Sequence, residues 1–384
     1  ASFLSATGGT FTRASIGTYY DSTGTLQTAA SGLPRFDYDP VTHAAKGILI
    51  EEERTNLLTY SSRMDHAAWS FSGTKTIGEI APDGSSDGTT LSGPTVPTTA
   101  HRIITPAITS TSVTYSVFAK FLSGPPVKIF LLRNNTTATN FDGCGFNLST
   151  GSNTSPCTGW VIYALNNGWY RLSYTRTTGI SIGDTLVVYF GKTGQSTAAG
   201  ESWAVWGAQL EAGAFATSYI PTTTTTVTRA IDNLYLPKGS WANNNLGTFQ
   251  IEAFKAPAQG VASRYYSLGN NIGQISLNND ATVSGNISAY VTDAIASNVA
   301  TLTTTGLTVG SSFKSVTAYA TNDFGLSTNG GTIQFDTSGT FPNFTFLSVG
   351  NLSSNGVRPI NSNIKQLKYY PSRVPNTQLQ LLTQ

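Results

Sequence analysis

Charge is what this chain has least of. Only 11% of its 384 residues are Asp, Glu, Lys or Arg, against about 25% in ordinary soluble proteins. So thin a supply disfavours long surface helices held by ion pairs one turn apart. The formal net charge is +2, which gives no electrostatic reason to bind nucleic acid or an anionic membrane. No apolar run approaches the roughly 20 residues of a membrane-spanning helix, so no membrane insertion is expected. Histidine is nearly missing. His43, His66 and His101 stand apart, none in a His-Glu-X-X-His arrangement, and each reads as a surface or packing residue. The two cysteines, Cys144 and Cys157, are too few for a zinc site. They flank a turn rich in Ser, Thr, Asn and Gly, which suits a hairpin disulfide or a pair of buried thiols.

What the chain does have is turn residues and rings. Glycine numbers 38 and aromatic residues make up 11%, alongside much Thr, Ser and Asn. Low charge with many rings argues against disorder and for short strands joined by tight turns. Strand candidates recur every ten to fifteen residues or so from Arg102 to Leu210, the spacing of an antiparallel sandwich. In Trp169–Arg176 the alternation is clear, with Tyr170, Leu172 and Tyr174 on one face. Five threonines, Thr222 to Thr226, follow Pro221 and mark a linker or an edge strand. The strand grammar then restarts at about Ile231. Near the end, Asn376 or Thr377 can cap a short helix that places Leu379 and Leu382 on one side.

The sequence therefore predicts an all-β protein: two consecutive antiparallel β-sandwich (jelly-roll) domains with an extended N-terminal arm. The expected limits are 1–47 for the arm and its following segment, 48–221 for the first jelly-roll, 222–230 for the linker and 231–384 for the second sandwich.

One stretch organises the rest. Arg35 to Leu58 reads RFDYDPVTHAAKGILIEEERTNLL. A short strand is stopped by Pro40, Gly47 opens an apolar β-branched run, and three carboxylates follow at once. Carboxylates at the end of a buried strand must be paired, solvated or given to a cation, and Arg54 is one partner at hand. With Pro34 in front, this segment resembles the signature of bacteriophage tail-fibre, tail-spike and head-spike proteins. A second segment resembles it too: Trp206-Gly207-Ala208-Gln209-Leu210-Glu211-Ala212-Gly213, then Thr217 to Pro221 and Thr228-Arg229-Ala230. The resemblance covers about the first 230 residues. It implies a virion surface protein whose first domain is like a jelly-roll carbohydrate-binding module. The C-terminal part resembles, more loosely, a concanavalin-A-like lectin sandwich. Such fibres and spikes are usually homotrimers, bound to other virion proteins and to host surface polysaccharide.

Catalytic residues are not expected. No nucleophile stands with a base, and no solenoid period of the kind usual in capsule-cutting tail spikes is present. No cofactor is required, although Glu51, Glu53 and Glu211 could hold a structural Ca²⁺, a cation that takes hard oxygen ligands. The competing expectation is that Arg54 and a lysine neutralise them. Sugars are held by rings that stack on their C–H faces and by amides and carboxylates on loops. Trp160, Trp241, Tyr265, Asn322 and Asp323 are the candidates. Tyr265 and Tyr266 are expected on opposite faces of their strand. Three functions follow: a non-catalytic adhesin for host polysaccharide, a head or tail decoration protein that meets only virion partners, and a capsule depolymerase.

Overall fold

The computed structural model describes residues 8–71, 73–93, 101–141, 143–153, 157–190, 201–270, 273–293, 295, 297–341, 343–353 and 357–384. The first seven residues of the expected arm, and the side chain of His101, lie outside them.

Nearly every element is an antiparallel strand, arranged as two sandwiches. In the first, one sheet runs in the order Trp160–Ala164, Trp169–Arg176, Val113–Ser123, Ser202–Ala212, Gly88–Ser92, Thr74–Glu79. It faces a sheet ordered Ser152–Asn153, Cys144–Asn147, Val127–Asn134, Leu186–Phe190, His101–Ile104. Val127–Asn134 buries every second residue, as a strand with one face on a core must. Leu91, Val117, Phe130, Leu172, Phe190 and Trp203 meet between the sheets. Cys144 and Cys157 form a disulfide, Cα atoms 5.2 Å apart, which ties the turn before Trp160–Ala164 to the second sheet.

The central strand Val113–Ser123 is buried over its first seven residues, on both faces. Its outer face carries a second core in which Phe118, Trp169, Trp206 and Tyr219 pack with Leu26. Leu26 comes from the hairpin of Gly17–Tyr20 with Leu26–Ala29. The N-terminal residues thus roof the first sandwich. Gly207 makes this possible. It sits at φ +62° within a β-bulge opposite Val117, where a Cβ would lie 2.6 Å from the Phe118 ring.

The second sandwich is discontinuous in sequence. Thr10–Thr12 pairs with Asn233–Pro237 at the edge of one seven-stranded sheet. Ala45–Ile50 pairs with Ser362–Tyr370 near the edge of the other, and Phe36–Tyr38 completes it. The limit expected at residue 47 falls inside a strand of this sheet, because Ile48 to Ile50 hydrogen-bond to residues 362–364 rather than to the first sandwich. Arg54–Asn56 then pairs with Val227–Arg229, so the chain enters and leaves the first sandwich through one two-stranded neck. The jelly-roll is inserted into the second sandwich, and the N-terminal arm is shared: Thr10–Thr12, Phe36–Tyr38 and Ala45–Ile50 join the domain that closes the chain, while the hairpin between them roofs the first sandwich. Of the threonine run, Thr222 is buried, its Oγ1 donating to Leu58 O (2.6 Å), while Thr223 to Thr226 are exposed.

Arg63 to Ala68 forms turns. The C-terminal helix is Asn376–Leu379, but neither candidate cap serves: Pro375 stands at its N-cap, and Asn376 Oδ1 accepts from Arg373 instead (2.6 Å). Among the described residues no helix is long and apolar enough to cross a membrane.

Candidate functional site

The neck is built on buried charge. Arg13, Arg35, Glu51, Arg229 and Asp232 each stand beside a strand end and are all buried. Arg35 Nη1 donates to Glu51 Oε2 (2.7 Å) and its Nη2 to Asp232. Arg13 reaches Asp232 Oδ1 at 3.1 Å, and Arg229 reaches Glu51 Oε2 at 3.1 Å. Ser218, from the first sandwich's exit, donates both its N–H and its hydroxyl to Glu51 (2.7 Å each). Charges out of water persist only when so fully paired. Burial alone would raise the Glu51 carboxyl; Arg229 and Arg35, with Ser218, instead hold it down to about 2. Asn56 closes the neck. Its amide donates to Ala208 O and Ile220 O, and its oxygen accepts from Leu58 N and Leu210 N. The two segments singled out in the sequence are therefore the joint between the domains.

This disposes of the three carboxylates proposed for Ca²⁺. Glu51 is taken by two arginines and Ser218. Glu211 is taken by Gln209 Nε2 (2.8 Å) and by Thr217 N and Oγ1 (2.9 and 2.6 Å). Glu53 is exposed, apart from both. Oxygens already saturated by donors do not fit a calcium cage, and among the described residues no group of three or more His, Cys, Asp or Glu could hold a metal. Among the described residues Arg54, the partner expected for the cluster, forms its ion pair with Glu52 and lies over the Phe215 ring.

The sugar candidates scatter. Trp160 is a core ring, 8% exposed, stacked on Tyr174 (4.9 Å) and edge-on to Tyr115 and Phe146. Tyr265 is fully buried; its hydroxyl donates to Phe254 O and accepts from Ala256 N. Its strand bulges between Arg264 and Tyr266, which breaks the alternation and turns both tyrosines into one core. Asn322 takes a left-handed turn at φ 57° and binds Gly339 through its side chain. Asp323 pairs with Arg373 at 2.7 Å. Trp241 borders a cavity. It lines a groove of about 540 Å³ in the second sandwich, with Phe36, Leu234, Leu347, Leu367 and Tyr369. That groove is mainly apolar and offers few groups to a hydroxyl.

A second cavity, about 330 Å³, opens between the domains beside the neck. Tyr20 and Tyr163 line it with Asp37, Lys46, Arg171 and Lys255, and Ser173, Asn361 and Asn363 contribute hydroxyl and amide groups. Each wall has a reason. Tyr20 ends the roofing hairpin, its N–H held by Asp37 Oδ1 (2.8 Å). Tyr163 is 39% exposed, its hydroxyl on Asp39 Oδ2 (3.0 Å). Arg171 and Ser173 project from Trp169–Arg176 on the face opposite buried Leu172 and Tyr174. Burial raises the Asp37 carboxyl, an effect that Lys46, Tyr20 N–H and Asn363 only partly offset. None of these residues was singled out beforehand as a binding residue. The alternation that put Tyr170, Leu172 and Tyr174 on one face also put Arg171 on the other, and that was the available signal.

No protein-family model and no curated protein matches the chain. Solved structures give slight likenesses. Domains LG4-5 of the mouse laminin alpha1 chain align at 11% identity and a TM-score of 0.27, over 78% of this chain and 92% of that one. The tandem CBM22 domains of Paenibacillus barcinonensis Xyn10C align at 11% and 0.28, over 84% and 99%. Trypanosoma rangeli sialidase aligns at 12% and 0.32, over 70% of this chain and 53% of the sialidase. At such TM-scores none of them bears on what this chain binds.

Proposed function

We propose that this chain is a non-catalytic surface protein of a bacteriophage particle, a fibre or spike that adheres to host polysaccharide through the cleft between its two sandwiches. One observation carries the adhesion: a cavity of about 330 Å³ lined by tyrosine rings, amides, hydroxyls and charged groups, the mixture that sugar recognition needs. The virion assignment draws on the two fibre- and spike-like segments, which here supply the joint that frames the cleft. A homotrimer attached to other virion proteins would multiply weak sugar contacts by avidity. The carboxylates nearest the cleft favour holding over cutting, since Glu51 is saturated by its partners and Asp37 is engaged by Tyr20, Lys46 and Asn363.

The test is a pull-down of the purified protein with host capsule, beside a reducing-end assay on the same polysaccharide. Retention without new reducing ends is expected, and Tyr163→Ala should weaken retention severalfold. Failure to retain any polysaccharide would sink the adhesin, and reducing ends that accumulate would make it a depolymerase. A second reading, a decoration protein that meets only virion partners, draws on the apolar groove and on Phe36, 56% exposed at its edge. Loss of particle incorporation on Phe36→Ser, with capsule binding absent from the parent protein, would favour it.

A further inference from the structure

The charged residues that line the cleft fall into two groups. Lys46 lies 3.7 Å from Asp37, and Glu51 is bound to Arg35 and Arg229. Arg171 and Lys255 have no carboxylate within 4 Å among the described residues. Arg171 is preset instead by neutral groups. Its Nη2 donates to Ser116 Oγ (2.9 Å), its guanidinium carbon lies 5.4 Å from the Phe118 ring centre, and its Nε is buried without an acceptor. Lys255 is 1% exposed and donates only to Ala256 O (2.7 Å) and Asn279 Oδ1 (2.5 Å). Burial pushes its ammonium down to about 8, and Asp280 does not make up the loss.

A chain with so few charges has left Arg171 at the cavity wall with no ion pair among the described residues, while the buried Lys255 ammonium is turned to Ala256 O and Asn279 Oδ1. The arginines of the neck meet carboxylates. A part-buried guanidinium with its Nε left without an acceptor gains from a negative partner, and its planar fork matches a carboxylate. We infer that the cleft takes an acidic glycan, with the carboxylate of a uronic or sialic-type sugar received by Arg171 and the sugar ring set against Tyr20 and Tyr163. This rests on the cleft being the glycan site. It adds the class of sugar.

The experiment uses the full chain and immobilised polysaccharides in matched pairs: polygalacturonate, alginate, hyaluronan and polysialic acid, each beside its methyl-esterified or carboxyl-reduced form. Dextran sulfate beside dextran tests charge alone. At least one acidic polymer should bind about tenfold or more tighter than its neutral form, the scale of one charge-assisted pair. Arg171→Gln should erase that ratio, and Arg171→Lys should keep part of it, with thermal melts confirming that both fold. Equal binding of acidic and neutral forms overturns the inference and leaves the glycan reading intact. So does a ratio that survives in folded Arg171→Gln, or dextran sulfate binding as tightly as any carboxylated polymer. Binding to no polysaccharide at all overturns the glycan reading itself.

Discussion

The neck and the cleft lie side by side, share Glu51 in their walls, and treat charge in opposite ways. In the neck, Arg13, Arg35 and Arg229 are each met by Asp232 or Glu51, although the Nε of Arg35 and of Arg229 has no acceptor. In the cleft, Arg171 rests on a hydroxyl, the Oγ of Ser116, with no carboxylate paired to it among the described residues. The difference teaches how to read scarce charge. A saturated cluster is finished; it holds two domains in register and has nothing left to offer a ligand. An unsaturated one costs stability in the free protein, and that cost is tolerable where a ligand supplies the missing group.

The comparison breaks first at Glu51. Glu51→Gln leaves Arg35 and Arg229 buried with too little counter-charge, and removing one partner of such a pair costs about 3–5 kcal/mol. A urea titration should show that loss for both sandwiches together, since residues of both meet at Glu51. A loss confined to a few tenths would mean that the neck does not join them.

Acid provides the next test. The folded Glu51 carboxyl is held at about 2 against an ordinary value of 4.5. Its stabilisation is present above pH 4.5 or so and fades as pH falls towards 2, by about 3 kcal/mol in all. Urea midpoints measured from pH 6 to 3 should fall along that curve, and the curve should flatten in Glu51→Gln. Asp37 acts in the other direction. Its folded value is raised, so its contribution grows as pH falls and is lost as pH rises, and Asp37→Asn should steepen the acid loss.

A scaffold control sharpens the contrast. The Cys144–Cys157 bond closes a short loop, with a sequence separation of 13, far from the neck in sequence. Replacing both cysteines by Ala should cost about 2–3 kcal/mol in denaturant while glycan binding stays unchanged. Weaker binding in that variant would mean that binding merely tracks stability. The smallest effect on stability belongs to Tyr163→Ala, because the ring is part-exposed and its bond to Asp39 lies at the surface. Its melting temperature should stay within about 1 °C of the parent, which corresponds to less than about 1 kcal/mol for a chain of this length, while retention on capsule drops severalfold.

Much of the fold was legible because period-2 alternation and turn spacing are local properties. Trp169–Arg176 and Val127–Asn134 carry them openly. The insertion of one sandwich into the other was not legible. Ile48 to Ile50 look the same whether they pair with residue 60 or residue 364, and only the folded chain decides. The same limit hid the partners of Glu51. The sequence required partners and offered Arg54, but Arg35 lies before the inserted domain and Arg229 at its exit. Trp160 and Tyr265 were misplaced for local reasons of another kind. A ring after a turn looks exposed until a disulfide and three aromatic neighbours enclose it, and a single bulge at Tyr265 undoes the rule that neighbours on a strand face opposite ways.

The most direct measurement is a thermal melt of Arg171→Gln, with and without the acidic polysaccharide that stabilises the parent protein. An apo midpoint close to the parent's, with the ligand-induced rise abolished, is the predicted result. A midpoint that collapses as far as that of Glu51→Gln, or a rise that persists in full, would contradict the division between charges that hold the domains and charges that await a ligand.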